Sequence, residues 1–360
     1  MKQNGSKFSD PTLNEVLFIG PSLKARGGMA SVLSTYRENF EPFHFIATNS
    51  PRGTIPGLGR LALLMVRLPL ERLRGRRLLH IHYAGGKSFR RKRMIARWGR
   101  LLGFRTIMHC HCNLIGASEK AGIAATASAL SHADYNIVLA SPYLEFALRT
   151  LHLPQAHTSI LNNIAPSAET SQATESKPGT CPHSVTFLFL GLINQPKGIY
   201  DLLKAASLLK ERGRHFRLIV GGAGERQQFD SEVEKLQLEK MVECRGWVEG
   251  RAKDRAMAES DILVLPSYTE GMPISVLEAM GLGMPSIATS VGALPDMVAD
   301  GLSGAIIPPG DIEALARAMQ SYIDDPSLIN LHGKEALARS EKYSASSVFD
   351  AITKTYRDIL

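Results

Sequence analysis

Glu270 and Glu278 stand eight positions apart in TEGMPISVLEAMGLGMP, residues 269–285. Ahead of them Ile262 to Leu265 is a short apolar run suited to a buried strand, and Pro266 and Ser267 end it. Pro273 suits the first turn of a following helix, where its missing N–H costs nothing, and Gly271 allows a ligand close to the backbone. Strand, turn and helix in this order would aim free N–H groups at an anion, with one carboxylate on each side of it. A ligand that carries both phosphate and hydroxyls fits such a site, because carboxylates accept from hydroxyls while amides and the helix dipole hold the diphosphate. The competing reading of E-x7-E alone is an ordinary strand–turn–helix with two solvated glutamates.

Three further stretches bear on the choice. In FLFLGLINQPKGIYDLLKA, residues 187–205, a strand ends at Gly191 and Lys197-Gly198 opens a helix, which sets an ammonium beside a helix start; a solvated loop lysine is the alternative. In LIVGGAGERQQF, residues 218–229, Gly221, Gly222 and Gly224 join strand to helix through a close approach or a tight turn. In FIGPSLKARGGMASVL, Gly27 and Gly28 would let backbone N–H groups approach a phosphate or sugar, or merely start a helix. No G-x-G-x-x-G follows that strand, which counts against a nicotinamide cofactor.

TIMHCHCNL, residues 106–114, ends a strand with His109 and His111 on one face and Cys110 and Cys112 on the other. Ligands on opposite faces do not close a zinc tetrahedron, so no metal is expected there. His111, at the carboxyl end of the strand, is the better placed to meet a ligand, with a structural histidine as the alternative; His80 and His82 in LLHIHY share that ambiguity. No D-x-D pair or G-x-S-x-G elbow occurs, which disfavours metal-dependent transfer and serine hydrolysis.

The elements that must position these residues alternate along 360 residues, 44% of them hydrophobic. Strands are predicted at 16–19, 44–47, 78–82, 106–111 and 136–139, with helices at 28–38, 61–74, 89–102, 119–130 and 142–151. After a Ser/Thr/Pro-rich linker at 164–183, strands recur at 186–190, 217–220, 262–265, 286–288 and 305–307, with a helix at 312–323. The pattern predicts an α/β chain of two Rossmann-like doubly wound domains, 1–163 and 184–345, facing a central cleft. A last helix at 346–360 is expected to fold back on the first.

The sparse cysteines, the lack of an eighteen-residue uncharged apolar run and the polar start MKQNGSKFSDPTLNE lead us to expect a cytoplasmic protein. Charge is uneven within the net +8: between Arg52 and Arg105 fifteen Lys or Arg face one acid, Glu71. Such a surface suits anionic lipid or a pyrophosphate-linked substrate, and LGRLALLMVRLPLERLRGRR, residues 58–77, reads as an interfacial helix or as the core face of a domain helix. Aromatic residues are too few in this span to suggest nucleic acid.

In order, GGM, H-x-H, Ser141-Pro142 after a strand, ILNN, LG…KG, GGAGE, Trp247 after a strand, E-x7-E and the PPGD turn resemble the family 4 retaining glycosyltransferases of the GT-B fold, or group 1 glycosyltransferases. The resemblance runs from about Val16 to the last helix and is dense from Phe187 to Met319. It implies retaining, metal-independent transfer of a sugar from a UDP- or GDP-sugar to an acceptor hydroxyl, without a cofactor. The acceptor would be a glycan or a polyprenyl-diphosphate-linked precursor of cell-surface polysaccharide or glycolipid, with the enzyme peripheral at the cytosolic membrane face.

By matching position, Glu278 would bind the ribose hydroxyls and Glu270 would face the donor sugar. The backbone of Gly271, Met272, Pro273 and Ile274 would hold sugar and diphosphate, and Lys197 would neutralise the leaving group. Gly27 and Gly28 would contact the diphosphate from the other domain and His111 the transferred sugar, with the base near Gly222 and the Arg245 to Trp247 segment. Where the family often has Arg, this chain has Leu192, which leaves the diphosphate to Lys197 and amides or to a neighbour such as Arg226. Cys112 stands where glycine is common. A sugar-nucleotide epimerase and a sugar-nucleotide-binding protein without activity are the alternatives.

Overall fold

A computed structural model describes residues 7–25, 27–49, 57–165 and 184–360. The chain divides into two compact units, Met1–Ile164 with Tyr343–Leu360 and Ala165–Lys342. From residue 166 onward the predicted linker lies outside the described residues.

The first unit is built on β1 (Val16–Gly20), β2 (Phe45–Ala47), β3 (Leu78–Tyr83), β4 (Arg105–Cys110), β5 (Tyr135–Val138) and β6 (Thr158–Ile160), all parallel, in the order 2-1-3-4-5-6. Its helices are α1 (Gly28–Asn39), α2 (Gly57–Leu73), α3 (Lys87–Leu101), α4 (Leu114–Ala121), α5 (Ile123–Leu130) and α6 (Ser141–Arg149). β1 and β3 are buried at every residue, as parallel strands covered on both faces must be. The single helix predicted at 119–130 is instead the pair α4 and α5, because Gly122 at φ 91° cannot continue a right-handed helix. Three-residue β6 was not predicted; so short a run carries too little alternation to stand out.

The second unit is built on β7 (Val185–Leu190), β8 (Phe216–Gly221), β9 (Val242–Gly246), β10 (Ile262–Leu265), β11 (Ser286–Thr289) and β12 (Gly304–Ile307), parallel in the order 9-8-7-10-11-12. Around it run α7 (Ile199–Glu211), α8 (Arg226–Lys235), α9 (Arg251–Ala258), α10 (Ile274–Gly281), α11 (Leu294–Met297), α12 (Ile312–Asp324) and α13 (Ser327–Ser340). Counted within the unit this is strand order 3-2-1-4-5-6, that of a dinucleotide-binding fold.

The chain's last helix, Ala345–Ile359, belongs to the first unit. Phe349 stacks on Phe8 with ring centroids 5.2 Å apart, Arg357 pairs with Asp10 at 2.6 Å, and the Tyr356 hydroxyl lies 2.6 Å from Nδ1 of His80. Both members of that last pair are fully buried, so Tyr356→Phe strands a polar nitrogen in the core. A loss of about 1–3 kcal/mol is expected in urea unfolding; a loss below half of that range would show that His80 is satisfied elsewhere.

Candidate functional site

In the second unit the strand order reverses between β7 and β10, and open sheets of this kind bind ligands outside the carboxyl ends of the strands at such a point. The chain leaving β7 forms a short 3-10 turn, Gln195–Lys197, in which the Asn194 side chain accepts from the Lys197 N–H at 3.2 Å. Gly198 follows at φ 71°, and a Cβ there would lie 1.9 Å from the Pro266 carbonyl oxygen. Only glycine permits this approach, which presses the turn against the end of β10. Lys197 Nζ then sits 2.6 Å from Glu270 Oε1, and Ser267 Oγ donates to the same oxygen at 2.6 Å. Glu270 is only 6% exposed.

Beyond Glu270 the chain passes Gly271 and the buried Met272 and enters α10. Pro273 is the N-cap, with φ −72° and ψ 125°, one position earlier than the predicted first turn. It has no N–H to offer, so of the four predicted backbone contacts it contributes a fixed φ rather than a donor. No side chain caps the helix, and uncapped N–H groups at a helix start favour an anion. Glu278 lies one turn further on and pairs with Lys253 of α9. Burial raises its pKa above the usual carboxylate range against the opposing Lys253 charge. The reading of two solvated glutamates is therefore set aside, since Glu270 is buried, Glu278 is half-buried and each meets a lysine. Sequence reasoning read Ser267 only as a strand end and missed Lys253, which stands in no recognisable pattern.

Other expected residues lie apart from this cluster. A Cβ on Gly222 would come within 2.1 Å of the Gly191 carbonyl oxygen, so this glycine lets the loops after β7 and β8 lie backbone to backbone. Ile193 N–H donates to Ala223 O at 2.9 Å, and Glu225 N–H to Ile193 O at 2.8 Å. Arg245 pairs with Glu243 at 2.8 Å and with Glu259, and Trp247 Nε1 donates to Glu249 at 3.1 Å. Arg245 and Trp247 line a pocket of about 550 Å³ with Val248, Arg251 and Arg255, a lining that Lys197, Glu270 and Glu278 do not share. Leu192 is exposed, and Arg226, the first residue of α8, is engaged by Asp230 at 2.7 Å.

In the first unit Gly27 is the N-cap of α1 at φ 118° and Gly28 its first residue, with open space around both and no side-chain cap. His80 and His82 on β3 and His109 and His111 at the end of β4 stack on one sheet face, the 82–109 pair in register. His80 Nε2 meets His109 Nδ1 at 3.0 Å, and His82 Nδ1 meets His111 Nε2 at 2.8 Å. Burial holds all four neutral, with the His111 pKa pushed down to about 3. One nitrogen each of His80, His82 and His109 falls within 4.8 Å of the others. Both nitrogens of His80 are taken, by Tyr356 and His109, while Nε2 of His82 and Nε2 of His109 are buried without a hydrogen-bond partner. His111 can hydrogen-bond a ligand as a neutral imidazole, and it brings no charge.

Breaking the Lys197–Glu270 pair from the lysine side leaves a buried carboxylate. Lys197→Met is expected to lower stability by about 1–3 kcal/mol, and adding Glu270→Gln should return part of it. Urea titration of the single and double variants checks this; a double variant no better than the single would show that Lys197 does not offset the carboxylate.

Residues 173–340 match the model for glycosyl transferases group 1. Alpha-D-kanosaminyltransferase of Streptomyces kanamyceticus is 28% identical over 174 residues, 48% of this chain and 45% of that protein. The amylovoran biosynthesis glycosyltransferase AmsK of Erwinia amylovora is 29% identical over 136 residues, 36% of this chain and 33% of that protein. The alignments thus span less than half the length of these curated relatives. The structure of Anabaena Alr3699/HepE in complex with UDP-glucose superimposes with a TM-score of 0.72 at 16% identity, over 95% of this chain and 99% of that one, a likeness of fold. The family match thus falls on the second unit alone, and the two parallel-sheet, Rossmann-like units are of the GT-B type.

Proposed function

We propose that the chain transfers a sugar from a UDP- or GDP-sugar to an acceptor hydroxyl with retention at the anomeric carbon and without a metal. Its acceptor would be a glycan or a polyprenyl-diphosphate-linked precursor in cell-surface polysaccharide or glycolipid synthesis. The observation that carries the reading is the meeting of Lys197 with Glu270 beside the uncapped start of α10, at the carboxyl ends of β7 and β10. A nucleoside diphosphate matches this arrangement, with anionic oxygens suited to the ammonium and the helix start and hydroxyls suited to the carboxylates. HepE, a protein of the same fold, has been crystallised with UDP-glucose, and AmsK is named for amylovoran biosynthesis.

In this mechanism Lys197 and the α10 amides hold the diphosphate and stabilise the charge that develops as the sugar–phosphate bond breaks. Arg226 pairs with Asp230 along α8, and the diphosphate is assigned to Lys197 and the α10 amides. Glu278 accepts from the ribose hydroxyls, and the base rests near Gly222 and the Arg245–Trp247 segment. Glu270, its charge matched by Lys197 and one oxygen occupied by Ser267, binds sugar hydroxyls rather than attacking carbon. The departing phosphate takes the acceptor's proton on the same face. His111 hydrogen-bonds the transferred sugar as a neutral group.

Thermal-shift screening of nucleotides and nucleotide sugars tests donor binding, since a ligand of the folded state raises the midpoint. UDP or GDP is expected to raise it for the wild type and not for Glu278→Ala. With the identified donor and acceptor, Lys197→Ala should cut turnover by about 10²-fold or more, and wild-type rates in either variant would overturn the site. Donor binding also has a definite pH dependence. Because burial raises the Glu278 pKa, its carboxylate is protonated and ceases to be a pure acceptor as pH falls through that raised value. Calorimetric titration should show affinity falling at a higher pH than an ordinary glutamate would give, and Glu278→Gln should remove that step.

A further inference from the structure

The basic span of the first unit carries an apolar stripe that the structure leaves uncovered. On α2, Leu63, Val66, Leu70 and Leu73 are 62%, 69%, 51% and 84% exposed. Their spacing of three, four and three puts them on one side of the helix. Leu64 and Leu68, on the other side, are buried, so this helix already has its core face. The outer stripe is a second apolar face, more than folding needs.

The charges around it are of one sign. Arg67 and Arg74 flank the stripe, and both reach Glu71, at 3.2 and 3.0 Å. Glu71, the one acid of the span, is 5% exposed, so two cations neutralise it and it is withdrawn from the surface. α3 packs against α2, with Trp98 Nε1 donating to the Met65 carbonyl at 3.0 Å. Lys87, Arg90, Met94, Arg97 and Leu101 recur on its exposed side at helical spacing, with no Asp or Glu from Arg72 to Arg105. Met94 and Leu101 are 50% and 79% exposed.

We infer that α2 and the outer side of α3 form a docking surface for an anionic lipid leaflet, in which the leucine and valine side chains enter the acyl boundary and the arginines meet headgroup phosphates. The occupant follows from the combination. An unbroken cationic field complements an anionic plane, and the interleaved aliphatic side chains match its apolar depth. Among the described residues no helix is long and apolar enough to cross a membrane, so α2 would lie along the interface. The surface stands on these side chains alone and does not depend on the transferase reading.

Co-sedimentation of the full chain with vesicles tests it without any substrate. Binding is expected to vesicles containing about one-third phosphatidylglycerol at low salt, and to fall at least tenfold in pure phosphatidylcholine or at about 0.5 M NaCl. The stripe variant Leu63→Ser/Val66→Ser/Leu70→Ser/Leu73→Ser and the charge variant Arg90→Glu/Arg97→Glu should each lower binding at least tenfold. Both alter exposed positions, and an unchanged thermal midpoint verifies the fold. Binding that ignores lipid charge and salt, or that survives in either folded variant, overturns the inference. So does light scattering that shows a wild-type dimer converted to monomer by the stripe variant, because a second copy would then cover the stripe.

Discussion

A carboxylate taken out of water must meet a cation or strong donors, and in the second unit that requirement organises everything near Glu270. Lys197 reaches it only because Gly198 has no Cβ, which lets the turn after β7 lie on the Pro266 carbonyl. Ser267 completes the coordination from the end of β10, and its carbonyl accepts from Thr289 at the end of β11. Three neighbouring strands thus terminate in one hydrogen-bonded cluster. The uncapped helix that follows starts from a rigid base, which is what recognition of a multiply charged ligand demands.

Charge is handled in opposite ways in the two units. The inner face of the first sheet holds four histidines that burial keeps neutral, bonded to one another and to Tyr356. Its outer helices, by contrast, carry cations with almost no acid among them. In the second unit cation and anion meet in pairs, Lys197 with Glu270 and Lys253 with Glu278. The first unit therefore presents its charge to solvent, while the charges around Glu270 and Glu278 in the second are matched at hydrogen-bond range.

Alternation of apolar runs and helical spacing made the two parallel sheets legible, because strands buried on both faces read as continuous apolar segments such as VLFIG and ILVL. Order and spacing of weak motifs made legible the resemblance that the family match across the second unit repeats. What the sequence hid depends on contacts between distant residues. Nothing near Lys253 announces that it will meet Glu278, and nothing near Gly222 distinguishes a glycine that admits a neighbouring backbone from one that cradles a phosphate. The break at Gly122 was missed because a glycine inside an otherwise helical pattern is often tolerated. The histidine ladder needed strand register, His82 beside His109, before four separate residues became one assembly.

The last helix adds a temporal consequence. Because Ala345–Ile359 completes the first unit while the second lies wholly between its parts, the portion synthesised first is finished last. The second unit, continuous in sequence, has all its strands available while the face bearing Phe18 and His80 still awaits Tyr356. During translation the usual order in which an N-terminal domain closes first is therefore inverted here. The unfinished histidine face must stay out of trouble until the fifteen residues Ala345–Ile359 that shield it have been made.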